Sequence, residues 1–222
     1  MDFENKDIAI LEIDIAYANL KIKNGDNLRA ETNSNYIECI QDGNKLKIEE
    51  KDHKWFSNSN DSELCVYIPQ DLEFEEIEIN TGAGEINIEK LVTKKLSFEL
   101  GAGETRINTL NVLDDADIGG GAGKITIESG VINNLEFDMG IGEANISAKL
   151  TGKNKINSGI GSLNINVNGN KEDYEITTSK GFGTIKIDNE EVADDEKIGN
   201  GSNSIDIDGG VGNIEMNFRD VP

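Results

Sequence analysis

The sequence predicts an all-β fold, a single-domain parallel β-helix (β-solenoid) whose coils of about 19–20 residues each turn a corner at a glycine-x-glycine. Two observations carry that prediction. A Gly-x-Gly triplet recurs at a near-constant step, and apolar residues alternate with polar ones on both sides of every copy.

The triplets are Gly82-Ala83-Gly84, Gly101-Ala102-Gly103, Gly121-Ala122-Gly123, Gly140-Ile141-Gly142, Gly159-Ile160-Gly161, Gly181-Phe182-Gly183 and Gly210-Val211-Gly212. The first four steps are 19, 20, 19 and 19 residues, followed by 22 and 29. Six places after each first glycine stand Ile88, Ile107, Ile127, Ile146, Ile165, Ile187 and Met216, and the residue four places after is mostly apolar as well. Three places before it stand Ile79, Phe98, Ile118, Phe137, Ile156, Thr178 and Ile207, with Thr178 the one departure. A period of two with β-branched residues on one row is the pattern of a half-buried strand. Each buried Ile or Phe contributes about 1.5 to 3 kcal/mol, so a charged residue in place of Ile127 or Phe137 is expected to disrupt its coil.

Inward positions fall at odd offsets before the triplet and at even offsets after it, so one residue of phase must be absorbed at the corner. The middle residues (Ala83, Ala102, Ala122, Ile141, Ile160, Phe182, Val211) belong to the odd, apolar set. That places the slip at or just after the second glycine, where backbone angles refused by a β-carbon are accessible. The fourteen glycines are thus read as structural corners. Coils stacked in chain order at ~4.8 Å would make the seven triplets span ~29 Å.

Residues 8 to 80 lack triplets but read as short strands over Ile8 to Ile15, Asn19 to Lys23, Tyr36 to Ile40, Lys45 to Glu49 and Leu64 to Ile68. Asn24-Gly25-Asp26 and Asp42-Gly43-Asn44 are turn signals between them. This segment is either the opening coils or a cap over the open end, residues 81–218 are the regular repeat, and the polar stretch Asp52 to Ser62 is a surface loop. No proline-rich or low-complexity linker divides residues 1–222, which are read as one solenoid domain.

Charge narrows the function. With 21 Lys and Arg against 43 Asp and Glu, the formal charge is −22, which opposes nucleic acid and anionic membrane surfaces. No apolar run approaches the ~20 residues of a membrane helix, and the first residues are too polar for a secretory signal. Either the protein is cytoplasmic, or the chain is an extracytoplasmic part of an anchored protein. Cys39 and Cys65 form no zinc pattern, and whether they pair with each other is open.

The glycine density does not make a nucleotide site. Three residues after each second glycine stand Asn87, Arg106, Thr126, Asn145, Asn164, Lys186 and Glu215, so Gly-x-Gly-x-x-Gly is absent, and Ile118 occupies the place that a phosphate loop ending at Gly123-Lys124 would need as glycine. The calcium-binding nonapeptide pattern lacks its aspartate in every copy, and no cofactor is expected. Acidic rows appear before the triplets, with Glu78, Asp117, Glu136 and Asp206 in one and Glu99, Asp138 and Asp208 in the next; Glu85, Glu104 and Glu143 follow the triplets. Carboxylates one coil apart repel by only about 0.9 kcal/mol in water, so a solvated face explains them without metal; divalent binding is the competing reading. Arg29, Arg106 and Arg219 are scattered, which argues against a polysaccharide lyase. His53, beside Lys54, Trp55 and Phe56, has no nucleophile or ligand partner nearby and is read as a surface residue; the two aromatics either pack on the coils or touch a partner. No enzyme is expected.

The repeated Gly-Ala-Gly and Gly-Ile-Gly followed by alternating Ile, the earlier Val66-Tyr67-Ile68-Pro69, and the closing Gly199-Asn200-Gly201 with Ile205 to Gly212 together resemble the bacterial putative-adhesin family of β-strand repeats, an adhesin-like domain of unknown function. The resemblance covers nearly the whole chain and brings no catalytic residues with it. It implies a non-enzymatic β-helix of the cell envelope, cell-surface or extracytoplasmic; the absence of a convergent reactive cluster on so regular a scaffold adds the expectation of a structural or adhesive module whose faces meet protein, glycan or further copies. Two other expectations stand beside it: an accessory regulator of an envelope-stress or transporter system, and a polysaccharide-active enzyme. The chain departs from the family pattern in having no anchor and in an acidic insertion from Asn189 to Lys197 in its last coil.

Overall fold

The computed structural model describes residues 8–51 and 62–219. Every strand in that range joins one curled 18-stranded sheet. The chain begins with β1 (Ile10–Ile15), β2 (Asn19–Gly25), β3 (Arg29–Thr32), β4 (Ile37–Asp42), β5 (Lys45–Glu50) and β6 (Glu63–Pro69). It continues as β7 (Phe74–Ile127), an unbroken extended run of 54 residues that bends through successive corners. Then come β8 (Gly130–Asn133), β9 (Leu135–Asp138), β10 (Ile141–Thr151), β11 (Lys153–Asn157), β12 (Ile160–Asn168), β13 (Tyr174–Ser179), β14 (Phe182–Ile187), β15 (Glu190–Glu191), β16 (Glu196–Gly199), β17 (Asn203–Asp208) and β18 (Val211–Arg219).

Most pairing is parallel, between residues one repeat apart. On one side Ile141 lies beside Ala122, on the other beside Ile160, and the register holds to Ile146 beside Ile127 and Ile165. A full rung has a stretch before the corner, a stretch after it, and a short return such as Leu110–Val112, which pairs with Gly130–Ile132. The rows read from the sequence as inward are buried: Phe98, Ile118, Phe137 and Ile156 before the corner, Ile107, Ile127, Ile146 and Ile165 after it. Leu110, Val112, Ile132, Leu150 and Val167 complete the core from the return side. Thr178, the polar exception, is also buried, and its hydroxyl donates to the Ala193 carbonyl at 3.3 Å, tying down the segment that follows.

The rungs do not stack in chain order. β12 pairs not with β14 but with β18, Ile160 beside Val211, and β18 pairs in turn with β14, Val211 beside Phe182. The last rung of the chain is therefore the second from its end in space. The beginning mirrors this, for β1 lies between β5 and β7, and β2 between β6 and β7. In both places the first or last described strands gain partners on both edges, and the outermost rung is covered by antiparallel strands: β4 on β5 and β3 on β6 at one end, β15 on β14 and β16 on β13 at the other. Such cover blunts the edges that would otherwise template further strands. Residues 8–80 are thus both opening rungs and cap, and the acidic insertion Asn189 to Lys197 contributes to the cap of the opposite end. Of the strands at the start, only β3 lacked a sequence signal. Most of the polar stretch read as a loop, residues 52–61, lies outside the described residues.

At the corners the glycines stack directly on one another. A Cβ built on Gly121 would lie 2.1 Å from the Gly101 carbonyl oxygen, and one on Gly123 would lie 1.9 Å from that of Gly103. Gly123 also has φ +152°, a region that a side chain resists. The backbone bonds explain the proximity: the N–H of Ile160 donates to the Gly140 carbonyl at 2.8 Å, that of Val211 to Gly159 at 2.8 Å, and that of Phe182 to Gly210 at 2.7 Å. The corner is a continuation of the sheet ladder, with no room for side chains between its rungs.

This ladder has an eighth step that lacks glycine. The Ala83 N–H donates to the Ala16 carbonyl at 2.7 Å, so Ala16-Tyr17-Ala18 takes the place of a triplet. Beyond it stands a carboxylate in place of another corner: Glu50 Oε2 accepts the N–H groups of Ala16, Tyr17 and Ala18 at 2.8, 2.8 and 3.3 Å. A flexible side chain leaves room for the alanine Cβ atoms where a stacked backbone would not.

Gly123→Ala is expected to lower the unfolding free energy by about 2–4 kcal/mol in urea titrations, near the upper range of single substitutions. Gly43→Ala, at φ +59° with nothing within 4 Å of the added carbon, is expected to cost only about 1 kcal/mol. Equal costs at the two sites would contradict the stacked corner. Glu50→Ala leaves up to three N–H groups without their carboxylate and is expected to cost about 1–3 kcal/mol, with Glu50→Gln recovering part of the loss.

Candidate functional site

The stacked corners control where the middle residue of each triplet points. Their apolar character and odd offset read as inward positions, and this is corrected by the structure: Ile141 is 58% exposed, Ile160 51%, Val211 47% and Phe182 85%. Inward alternation runs on through Leu100, Met139 and Ser158, one place before the corner, and the bend toward the positive-φ glycine turns the next odd residue, the middle one of the triplet, outward. Because consecutive rungs hold the same register, these side chains form a single ridge along the corner. In spatial order it starts at Tyr17, itself 56% exposed, and continues through Ala83, Ala102 and Ala122. It then passes Ile141, Ile160 and Val211 and ends at Phe182.

Polar residues flank the ridge on both sides. After the corner the row runs Asn19, Glu85, Glu104, Lys124, Glu143, Ser162, Asn213 and Thr184; Lys124 Nζ is 3.3 Å from Glu143 Oε1, and the Asn19 carboxamide accepts the Glu85 N–H at 2.8 Å. The Asn145 amide and Lys124 hold the Glu143 carboxyl below its ordinary range. On the other side, two places before the corner, stand Asp14, Asn80, Glu99, Gly119, Asp138, Asn157, Asp208 and Ser179. The acidic rows expected from chain order are therefore interrupted. Asn157 separates Asp138 from Asp208, and in the row four places before the corner Lys155 stands between Glu136 and Asp206, 3.8 Å from Glu136. Ser97 likewise falls between Glu78 and Asp117. Asp117 and Glu136 remain direct neighbours across rungs, and burial, then Glu136 and Asp138, push the Asp117 carboxyl above its ordinary 3.8.

Among the described residues no group of three or more His, Cys, Asp or Glu is placed to hold a metal ion. Cys39 and Cys65 are both free thiols, one half-buried and the other buried. Arg29 lies 4.0 Å over the Tyr67 ring, Arg106 pairs with Glu128 at 3.2 Å, and Arg219 lies beside Asn168, so the three arginines do not converge. His53, Trp55 and Phe56 lie outside the described residues. The fourteen glycines all line the ridge from beneath. Sequence reasoning missed the eighth member, Tyr17, although the signal was present: Leu11 and Ile13 precede Ala16, and Leu20 and Ile22 follow it, at the same offsets as in every triplet.

This fold and surface define a repeat-built all-β protein with a rigid, outward apolar ridge at its corners, framed by carboxylates and amides. The family model described as Toastrack DUF4097 matches residues 1–213, and the chain belongs to that family, in agreement with the resemblance drawn from the triplets. No curated protein matches the sequence. Three solved structures are similar to it over nearly their whole length. A putative cell adhesion protein from Clostridium sporogenes is 15% identical, with 99% of this chain and 97% of that one covered and a TM-score of 0.42. A putative adhesin from Bacteroides fragilis is 14% identical (97% and 95% covered, TM-score 0.46), and one from Parabacteroides distasonis is 14% identical (97% and 94%, TM-score 0.43). No helix among the described residues is long and apolar enough to cross a membrane.

The raised Asp117 pKa sets the sign of one pH effect. The folded protein holds this proton more tightly than the unfolded chain, so stability from this group is highest below 3.8 and falls as pH rises through the interval above it. Asp117→Asn is therefore expected to raise the urea midpoint at pH 7 by less than about 1 kcal/mol equivalent, given the exposure of the group, and to give no gain near pH 3. A gain at pH 3 as large as at pH 7 would contradict the assignment.

Proposed function

We propose that the protein is a non-enzymatic, adhesin-like binding module of the bacterial cell envelope, a single rigid scaffold of stacked coils in the manner of a β-helix, and that its contact surface is the corner ridge. The observation that carries this reading is the ridge itself: Ile141, Ile160, Val211 and Phe182 all stand about half exposed or more on consecutive rungs. Solvent-facing aliphatic side chains are usually scattered, whereas a contiguous apolar strip rimmed by polar groups marks an interaction site. The strip is preorganised, since its backbone is bonded rung to rung, and this reduces the ordering cost of association. Membership in an adhesin-like family of unknown function supports the same reading. Aliphatic side chains suit a protein surface better than a glycan, so a protein partner at the cell surface is favoured, with the chain on the extracytoplasmic side.

The test is binding of fluorescently labelled protein to intact bacterial cells and to isolated envelope. Ile141→Ser/Ile160→Ser is expected to lower binding at least tenfold while leaving the melting temperature within a few degrees, whereas Thr126→Ser, a control on the strand beyond the corner, is expected to leave binding intact. Binding that the ridge variant retains in full would rule out this surface.

A further inference from the structure

We propose that the ridge is self-complementary and joins two copies of this chain in an antiparallel, twofold-related pair. The proposal rests on the reading of the ridge as a contact surface and names its partner. Between the aromatic ends Tyr17 and Phe182, which meet each other when one copy is reversed, the small residues Ala83, Ala102 and Ala122 occupy one half of the ridge, and the bulky Ile141, Ile160 and Val211 the other. Reversing one copy against another sets Ala83 opposite Val211, Ala102 opposite Ile160, and Ala122 opposite Ile141, each small side chain facing a large one. A twofold contact of this kind is isologous, each surface patch meeting its own copy, and alternation of large with small is how facing layers fill space.

The flanks select the same arrangement. In the antiparallel pair each flank faces its own copy in reverse order. Glu85 then meets Asn213, Glu104 meets Ser162, and Lys124 meets Glu143; on the other flank Glu99 meets Asn157, and Asp138 meets Gly119. No carboxylate is set against a carboxylate on either side. A parallel pair, with the twofold along the ridge, would bring opposite flanks together rung by rung. It would set Glu104 against Glu99 and Glu143 against Asp138, and would leave alanine facing alanine across a gap.

Eight rungs at ~4.8 Å make a ridge roughly 34 Å long, and five residues across it give a width of roughly 15 Å, hence about 500 Å² per copy. That lies below the roughly 800 Å² per partner of standard interfaces, so a reversible dimer in the micromolar range is expected. Each copy carries a charge of −22, and this repulsion is screened by salt. Dimerisation is therefore strengthened by raising ionic strength, the opposite of what a basic partner held by the carboxylates would show.

Sedimentation velocity of the full chain, from about 1 to 200 µM at low and high sodium chloride, tests this. The expected result is a monomer–dimer equilibrium whose dissociation constant falls several-fold in high salt. Ala102→Glu and Ile160→Lys, each alone, are expected to weaken it at least tenfold, with circular dichroism confirming that both fold. Mixed together the two variants are expected to dimerise again, because the introduced carboxylate of one copy then faces the introduced ammonium of the other while the second Ala102–Ile160 contact stays native. Failure of the mixture to recover, a wild-type chain monomeric throughout, or association that weakens with salt would each overturn the antiparallel pair. If cell binding still depended on Ile141 and Ile160 in that event, the ridge would remain a contact surface with a different partner.

Discussion

The structure depends on backbone groups of neighbouring rungs meeting at the corner with nothing between them. A tight surface turn would ordinarily leave its N–H and C=O groups to water. Here the N–H of the middle residue reaches the carbonyl of the rung before it, as Ile160 does to Gly140 at 2.8 Å, and the sheet continues through the bend. That continuity requires backbones so close that even a methyl group is excluded, which is why two glycines recur in every copy. The same constraint turns the residue between them outward, so the geometry that closes the core also builds the ridge.

The ends follow from the ladder as well. A ladder of N–H donors must terminate somewhere, and Glu50 terminates it by offering one carboxylate oxygen to three donors. The first and last described strands, β1 and β18, are tucked one rung inside the stack, and the antiparallel strands that cover the outer rungs come from the two segments without glycine triplets. Asn154, buried where an aliphatic residue would be expected, bridges this rearrangement: its side chain accepts the Leu135 N–H at 3.2 Å and donates to the Ser204 carbonyl at 2.9 Å. A polar residue in the core is thus explained by the junction between rungs that are distant in sequence.

Much of this was legible in the residues, and the failures have physical causes. Alternation located the buried rows, because burial of one face imposes a period of two on Phe98, Ile118, Phe137 and their equivalents. It also located the opening strands other than β3 to within two residues. Stacking order was not legible, because Ile165 can sit beside Ile187 or Met216 with equal comfort; the jump along the chain from Ile160 in β12 to Val211 in β18 is decided by how the ends are capped. The ridge was misread for a related reason. Ile141 and Ile160 are as apolar as core residues, and hydrophobicity cannot tell an inward side chain from one exposed at a corner. Tyr17 escaped because the glycine requirement lapses where a carboxylate replaces the next rung.

Amide hydrogen exchange followed by NMR on the dilute, monomeric protein tests the corner ladder most directly. The amides of Ile141, Ile160 and Val211 should exchange as slowly as those of the buried strand residues Ile146 and Ile165, although their own side chains face water. Exchange of the triplet amides at the fast rates of ordinary surface turns would show that the rungs are not bonded through their corners, and the ridge would lose its foundation.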